Sequence, residues 1–197
     1  MAGTSHGGTA ASPWLQRWAH LLPPGGTALD LACGSGRHLR WLAAQGLRPT
    51  GIDRDAAALA ASADLAGAGL AELITADVEN GPWPCPGRLF DAVVVTNYLW
   101  RPLWPQILAS LAPGAVLLYE TFAAGNQTVG KPSRPDFLLQ PGELISRCQG
   151  LRIVAYEDGF LDAPARFVQR VVAVRPAAQS AAHPAAVPRH ALQAPRG

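Results

Sequence analysis

The chain has 197 residues, 49% of them hydrophobic and 15% charged, with a formal net charge of +2. That length suits one domain with loose ends. The charge balance offers no electrostatic footprint for nucleic acid, and no apolar run reaches the roughly 20 residues of a membrane helix. The three cysteines, Cys33, Cys85 and Cys148, form no CxxC and no even set, which argues against a disulfide framework or a metal site and for a reducing, cytoplasmic setting.

Residues 1–11 are small and polar, carry no signal-peptide pattern, and are expected to be disordered. Ser12-Pro13 reads as an N-cap and first helical residue. Trp14, Leu15, Trp18, Leu21 and Leu22 follow at helical spacing. Such a stripe more often packs a helix onto a sheet than makes a lid over a ligand. Pro23-Pro24-Gly25-Gly26 ends the helix. Residues 28–31 form an apolar strand, 32–36 a glycine-rich turn, and Leu39, Leu42 and Ala43 the buried face of the next helix. The second strand, 47–52, ends at Asp53. The alanine-rich stretch 56–66 is helical, closed by Gly67 and Gly69. Residues 73–76 form a short third strand. In the proline-rich loop 80–87, Trp83 either flanks a ligand or staples the loop.

Residues 90–95 are almost continuously apolar, as in a strand of a parallel sheet covered on both faces. A helix over 102–111 and a Pro113-Gly114 turn lead to the fifth strand, 115–119, which ends at Glu120-Thr121. The longest irregular stretch, 122–141, holds Gly125, Gly130, Lys131 and Arg134. Loops of that length are usually functional or disordered, and Phe137-Leu138-Leu139 as an anchor favours an ordered substrate loop, with the glycines as hinges. A helix over 142–148 precedes two final strands, 151–156 and 167–174, joined by a link of hairpin length. The Ala/Pro-rich tail 176–197 is expected to be disordered. Five strand–helix alternations and a terminal strand pair make 12–175 one α/β domain with a seven-stranded sheet and helices on both faces.

The chemistry concentrates at Asp30-Leu31-Ala32-Cys33-Gly34-Ser35-Gly36. Glycines at 34 and 36 let backbone approach a ligand closely, and a strand–turn–helix of this kind aims free N–H groups at it. A dinucleotide fingerprint needs a third glycine where Leu39 stands, and a P-loop needs a Gly-Lys-Ser/Thr run that is missing here. Asp30 at the strand end repels a pyrophosphate and suits a cationic ligand. S-adenosylmethionine, with a sulfonium, an α-ammonium and no phosphate, meets that description; a nicotinamide cofactor does not. Asp53 follows Gly36 by 17 residues, close to the ~20 expected of a ribose-binding acid, although it or Asp55 also suits the N-cap of the following helix.

Residues 29–36 resemble motif I of the class I S-adenosylmethionine-dependent methyltransferases, with Ala32 at the first glycine position. The likeness extends in order and spacing over about residues 12–175. It implies a Rossmann-like, mostly parallel sheet with a reversed last strand and S-adenosylmethionine as cofactor. By the same resemblance the cofactor is held by residues 30–36, by Asp53 at its ribose with Arg54 beside it, by Asp77 and Val78 at its adenine, and by Asn97. Asn97 and Tyr98 come to the transferable methyl. Asn97, Tyr98 and Glu120 are the candidate catalytic residues, with Glu120 as a base or its orienter. Tyr98, Lys131 and Arg134 are candidates for acceptor binding, the two cations suiting an anionic small molecule. Gly-Ser-Gly-Arg-His with the following 41–46, and the 135–144 block, look most like the small tellurite-resistance-type methyltransferases. An RNA or protein methyltransferase with a docking partner and a catalytically silent cofactor-binding module are the alternatives. The sequence leaves the oligomeric state open.

Overall fold

The computed structural model describes residues 10–177 and 189–192. Most of the two termini read as disordered, namely 1–9, 178–188 and 193–197, lies outside the described residues. Ala11, expected in the loose N-terminus, is buried, and its carbonyl accepts a bond from Gln16.

A seven-stranded sheet runs in the order β3-β2-β1-β4-β5-β7-β6. Its strands are β1 (Thr27–Leu31), β2 (Arg48–Asp53), β3 (Glu72–Thr75), β4 (Phe90–Thr96), β5 (Leu111–Phe122), β6 (Arg152–Asp162) and β7 (Ala165–Val174). The first five are parallel, and β7 runs antiparallel to both its neighbours. The reversed last strand is therefore present. The helices are α1 (Pro13–Trp18), α2 (Arg37–Ala44), α3 (Ala56–Ala60), α4 (Ala63–Gly67), α5 (Trp104–Ala109) and α6 (Glu143–Arg147). None is long and apolar enough to cross a membrane, among the described residues.

Period-2 alternation splits each central strand between two layers. On one face Trp14, Leu15 and Trp18 of α1 pack on Ala28, Val94, Leu118 and Val172. The α1 stripe is thus core rather than lid. On the other face Trp104 and Ile107 of α5 pack on Leu29, Val93 and Leu117, and Trp104 stacks on Tyr119 with centroids 4.8 Å apart.

Three elements differ from expectation. The helix read over 56–66 breaks at Ser62, which is fully buried and donates to the Ser35 carbonyl at 2.9 Å. Serine competes well for local backbone bonds, and here its hydroxyl serves the glycine turn instead of a helix surface. Pro113-Gly114, read as a turn, is an irregularity inside one long β5: pairing with β4 shifts register between Phe90 and Ala92. The final hairpin absorbs most of its supposed link, leaving only Ala163-Pro164 between the strands.

Candidate active site

The carboxyl ends of β1, β2, β4 and β5, the residues after β3, and residues 131–137 enclose a cavity of about 830 Å³. It opens where β2 and β4 diverge from opposite edges of β1, the position at which parallel α/β sheets place ligands.

The turn after β1 carries three positive φ angles: Ala32 at 55°, Gly34 at 56° and Gly36 at 76°. The glycines do different work. A Cβ on Gly36 would lie 2.1 Å from Ser62 Oγ, whereas among the described residues, its chain neighbours aside, nothing lies within 4 Å of the same position on Gly34. Ala32 lines the cavity, in a left-handed conformation that costs a non-glycine residue roughly 1–2 kcal/mol. The Gly34 N–H donates to Asp53 Oδ2 at 2.7 Å, and Asp53 Oδ1 accepts from the Asp55 N–H at 2.9 Å. Asp55, through the N–H groups of Ala57 and Ala58, is the N-cap of α3. Asp53 is free of that duty and stands on the cavity wall, joined to the glycine turn. Each carboxylate oxygen retains acceptor capacity for a further donor.

Asp77 also lines the cavity. It accepts from the side-chain amide of Asn80 and from the N–H groups of Glu79 and Asn80, and these bonds hold its carboxyl below the ordinary range. Val78 and Arg54 line the same wall. Asp30 is only 1% exposed, and both its oxygens lack hydrogen-bond partners. Buried His38, 3.8 Å away, also faces Thr96 at 3.3 Å. A buried carboxylate so poorly satisfied is suited to a cation.

Asn97, at φ 55°, and Tyr98 lie at the end of β4. Asn97 Oδ1 and the Tyr98 hydroxyl are buried on the cavity wall without partners in the described structure. Burial, with the Glu79 carboxylate adding to it, pushes the Tyr98 phenol above its ordinary pKa, so the group stays protonated and serves as a donor. Lys131 and Arg134 reach the cavity from the loop, with Phe122 and Phe137. The loop is tied down by Arg101, which donates to the carbonyls of Asp136 and Leu138 and to both oxygens of Glu143.

Some expected site residues stand elsewhere. Glu120 is 2% exposed and points to the α1 face: Oε1 accepts from Ser12 at 3.0 Å and Oε2 from Arg170 at 3.1 Å. With both oxygens committed outside the cavity it is not a base for chemistry there. Leu31 is a fully buried core residue rather than a ligand contact. Cys33 packs behind the turn, against α2 and β2, and Ser35 contributes its carbonyl to Ser62. Trp83 staples its own loop by donating to the Cys85 carbonyl. Phe137 does not anchor the 122–141 loop: it is 39% exposed, while Leu138 and Leu139 are buried. Phe122 and Ser133 of the expected substrate loop line the cavity, as do Glu79, Leu99 and Thr121, which the sequence does not single out. The sequence signal for these last three is adjacency to residues already singled out.

Burial raises the pKa of all three free thiols, that of Cys148 to about 12, and Asp30 and Asp53 add to the effect at Cys33. The reactive species is the thiolate. Iodoacetamide at pH 8 is therefore expected to leave the native protein unlabelled over a time in which the urea-unfolded chain takes up label at each cysteine. Rapid native labelling of Cys33 would contradict the burial argument.

Residues 28–114 match a family model described as a methyltransferase domain. No curated protein matches the sequence significantly. Among solved structures, an S-adenosylmethionine-dependent methyltransferase from Methanosarcina mazei is 18% identical, with a TM-score of 0.66 over 85% of this chain and 99% of that one. One from Mesorhizobium loti is 18% identical, with a TM-score of 0.67 over 85% and 100%. TehB from Haemophilus influenzae is 21% identical, with a TM-score of 0.63 over 80% of this chain and 59% of that one. At these identities the structures speak for the fold, and the family model speaks for residues 28–114. The cavity fits the cofactor with carboxylates at Asp53 and Asp77 and an unsatisfied buried Asn97 Oδ1 on its wall; the β1 end and turn that reach it at Ala32 add open space over Gly34 and the unsatisfied, buried Asp30. Residues 28–114 thus match a methyltransferase domain, and the chain has the fold of S-adenosylmethionine-dependent methyltransferases.

Proposed function

We propose that this domain methylates a small anionic acceptor held between Asn97-Tyr98 and the 122–141 loop. The carrying observation is that one cavity has three acids, Asp53, Asp77 and Glu79, with Arg54 among them at one end of the sheet order, and the cations Lys131 and Arg134 without a lining acid at the other. Asp53 and Asp77 follow β2 and β3, while Lys131 and Arg134 follow β5. From β2 to β5 is three strand spacings, about 14 Å. The acid side suits a sulfonium cofactor and its ribose; the cationic side suits an anion.

In this reading the 32–36 turn and Asp30 hold the methionine portion of the cofactor. Asp53, with Arg54 beside it, takes the ribose, and Asp77 and Val78 take the adenine. S-adenosylmethionine supplies an electrophilic methyl carbon with sulfur as its leaving group. The chain's contribution is alignment and exclusion of water. Lys131 and Arg134 fix the acceptor's charge, and the protonated Tyr98 hydroxyl donates a hydrogen bond that orients it. Asn97 Oδ1 accepts from a donor on either ligand. An acceptor whose attacking oxygen is already ionised needs no general base.

Tyr98→Phe, Lys131→Ala and Arg134→Ala are each expected to lower turnover about tenfold or more while S-adenosylmethionine affinity stays within about twofold, the pattern of lost acceptor positioning. The acceptor is found by incubating the purified protein and labelled cofactor with fractionated small-metabolite extracts, bulk RNA and total protein. Label in RNA or protein alone overturns the reading, as does full turnover by all three variants.

A further inference from the structure

We propose that the acceptor is an amphipathic organic anion, an apolar body of about one or two rings bearing a carboxylate-like group, rather than an inorganic oxyanion. This rests on the reading of the cavity as an acceptor site and narrows it. Beside the cations Lys131 and Arg134, the cavity wall is made by Leu99, Phe122 and Phe137. Phe137 is the telling residue. The chain buries its neighbours Leu138 and Leu139 to 3% and 0% exposure yet leaves the Phe137 ring 39% exposed on the wall of the cavity.

Arg134 holds its guanidinium 5.3 Å from the centre of the Phe137 ring. Cation and apolar face are therefore presented together, as a ligand with a charged head and an apolar body requires. The Arg134–Asp136 pair, 2.9 Å long, has both side chains more than 70% exposed, so solvent screens it and a ligand carboxylate can exchange into it. A hydrated inorganic oxyanion gains nothing from the rings and loses its water on entering. A volume of about 830 Å³ also lies in the upper part of the usual range of ~300–1,000 Å³ for small-molecule sites, which leaves room for a second organic molecule beside a cofactor.

The test is calorimetry on the full chain saturated with S-adenosylhomocysteine, with four probes: 2-naphthoate, 2-naphthalenemethanol, acetate and phosphate. 2-Naphthoate is expected to bind at least about tenfold more tightly than each of the others. Phe137→Ala should weaken 2-naphthoate about fivefold or more and leave the two small anions unchanged. The variant's unaltered S-adenosylhomocysteine affinity shows that it is folded. Acetate or phosphate binding as tightly as 2-naphthoate overturns this inference and leaves the anionic-acceptor reading standing. 2-Naphthalenemethanol binding as tightly as 2-naphthoate overturns the anionic reading itself. Failure of all four to bind a protein that still takes S-adenosylhomocysteine overturns both.

Discussion

Gly34→Asp is expected to leave the protein folded and to abolish S-adenosylmethionine binding. At φ 56° a side chain is strained, but aspartate is among the residues that tolerate the left-handed region best. Among the described residues, its two chain neighbours aside, nothing stands within 4 Å of the added Cβ, and the Gly34 N–H to Asp53 remains. The new carboxylate instead fills the open space over the turn, which the proposed function gives to the cofactor. Gly36→Ala is the informative contrast. Its Cβ meets Ser62 Oγ at 2.1 Å, so Ser62 must shift and its bond to the Ser35 carbonyl is lost. Left-handed strain and a broken buried hydrogen bond together cost about 3 kcal/mol, a fall in Tm on the order of 10 °C. Thermal melts and calorimetry with S-adenosylmethionine separate the two glycines. Wild-type affinity in Gly34→Asp would show that the cofactor does not lie over this turn.

Arg170→Met is expected to destabilise the fold by about 3–5 kcal/mol, the range for stranding one partner of a buried ion pair. Arg170 bridges Glu120 at 3.1 Å and Glu157 at 2.9 Å, and stacks on Trp14 at 5.1 Å. Without it, Glu120 is left 2% exposed with the Ser12 hydroxyl as its remaining partner. Glu120→Gln is much milder, about 1 kcal/mol, because the amide still accepts from Ser12 and Arg170 keeps Glu157. Urea titrations measure both. Methyl transfer by Glu120→Gln, assayed well below its melting temperature, should match the wild type. A general base in that position would contribute on the order of 100-fold or more, so a loss of that size would return Glu120 to the chemistry.

The parts of this protein legible in its sequence are those whose physics is local. Residues 28–36 specify strand, left-handed turn and helix start within a few residues of one another. Asp53 is recognisable because a fixed helix length separates it from that turn, and the strand–helix alternation prescribes a parallel sheet. The direction of Glu120 is a different matter. Its position at the end of β5 was readable, but Val116, Leu118 and Glu120 share a parity, and which layer covers that parity depends on where α1 docks, more than 100 residues away in the chain. The same holds for Ser62 against Gly36, and for Phe137, whose exposure beside two buried leucines is set by how Arg101 pins the loop. Sequence by itself determined the fold class and the left-handed glycine turn, because short-range backbone sterics and periodicity suffice for them. Only the tertiary structure decided which polar side chains face the cavity, because each strand residue has two faces to choose from and distant packing makes the choice.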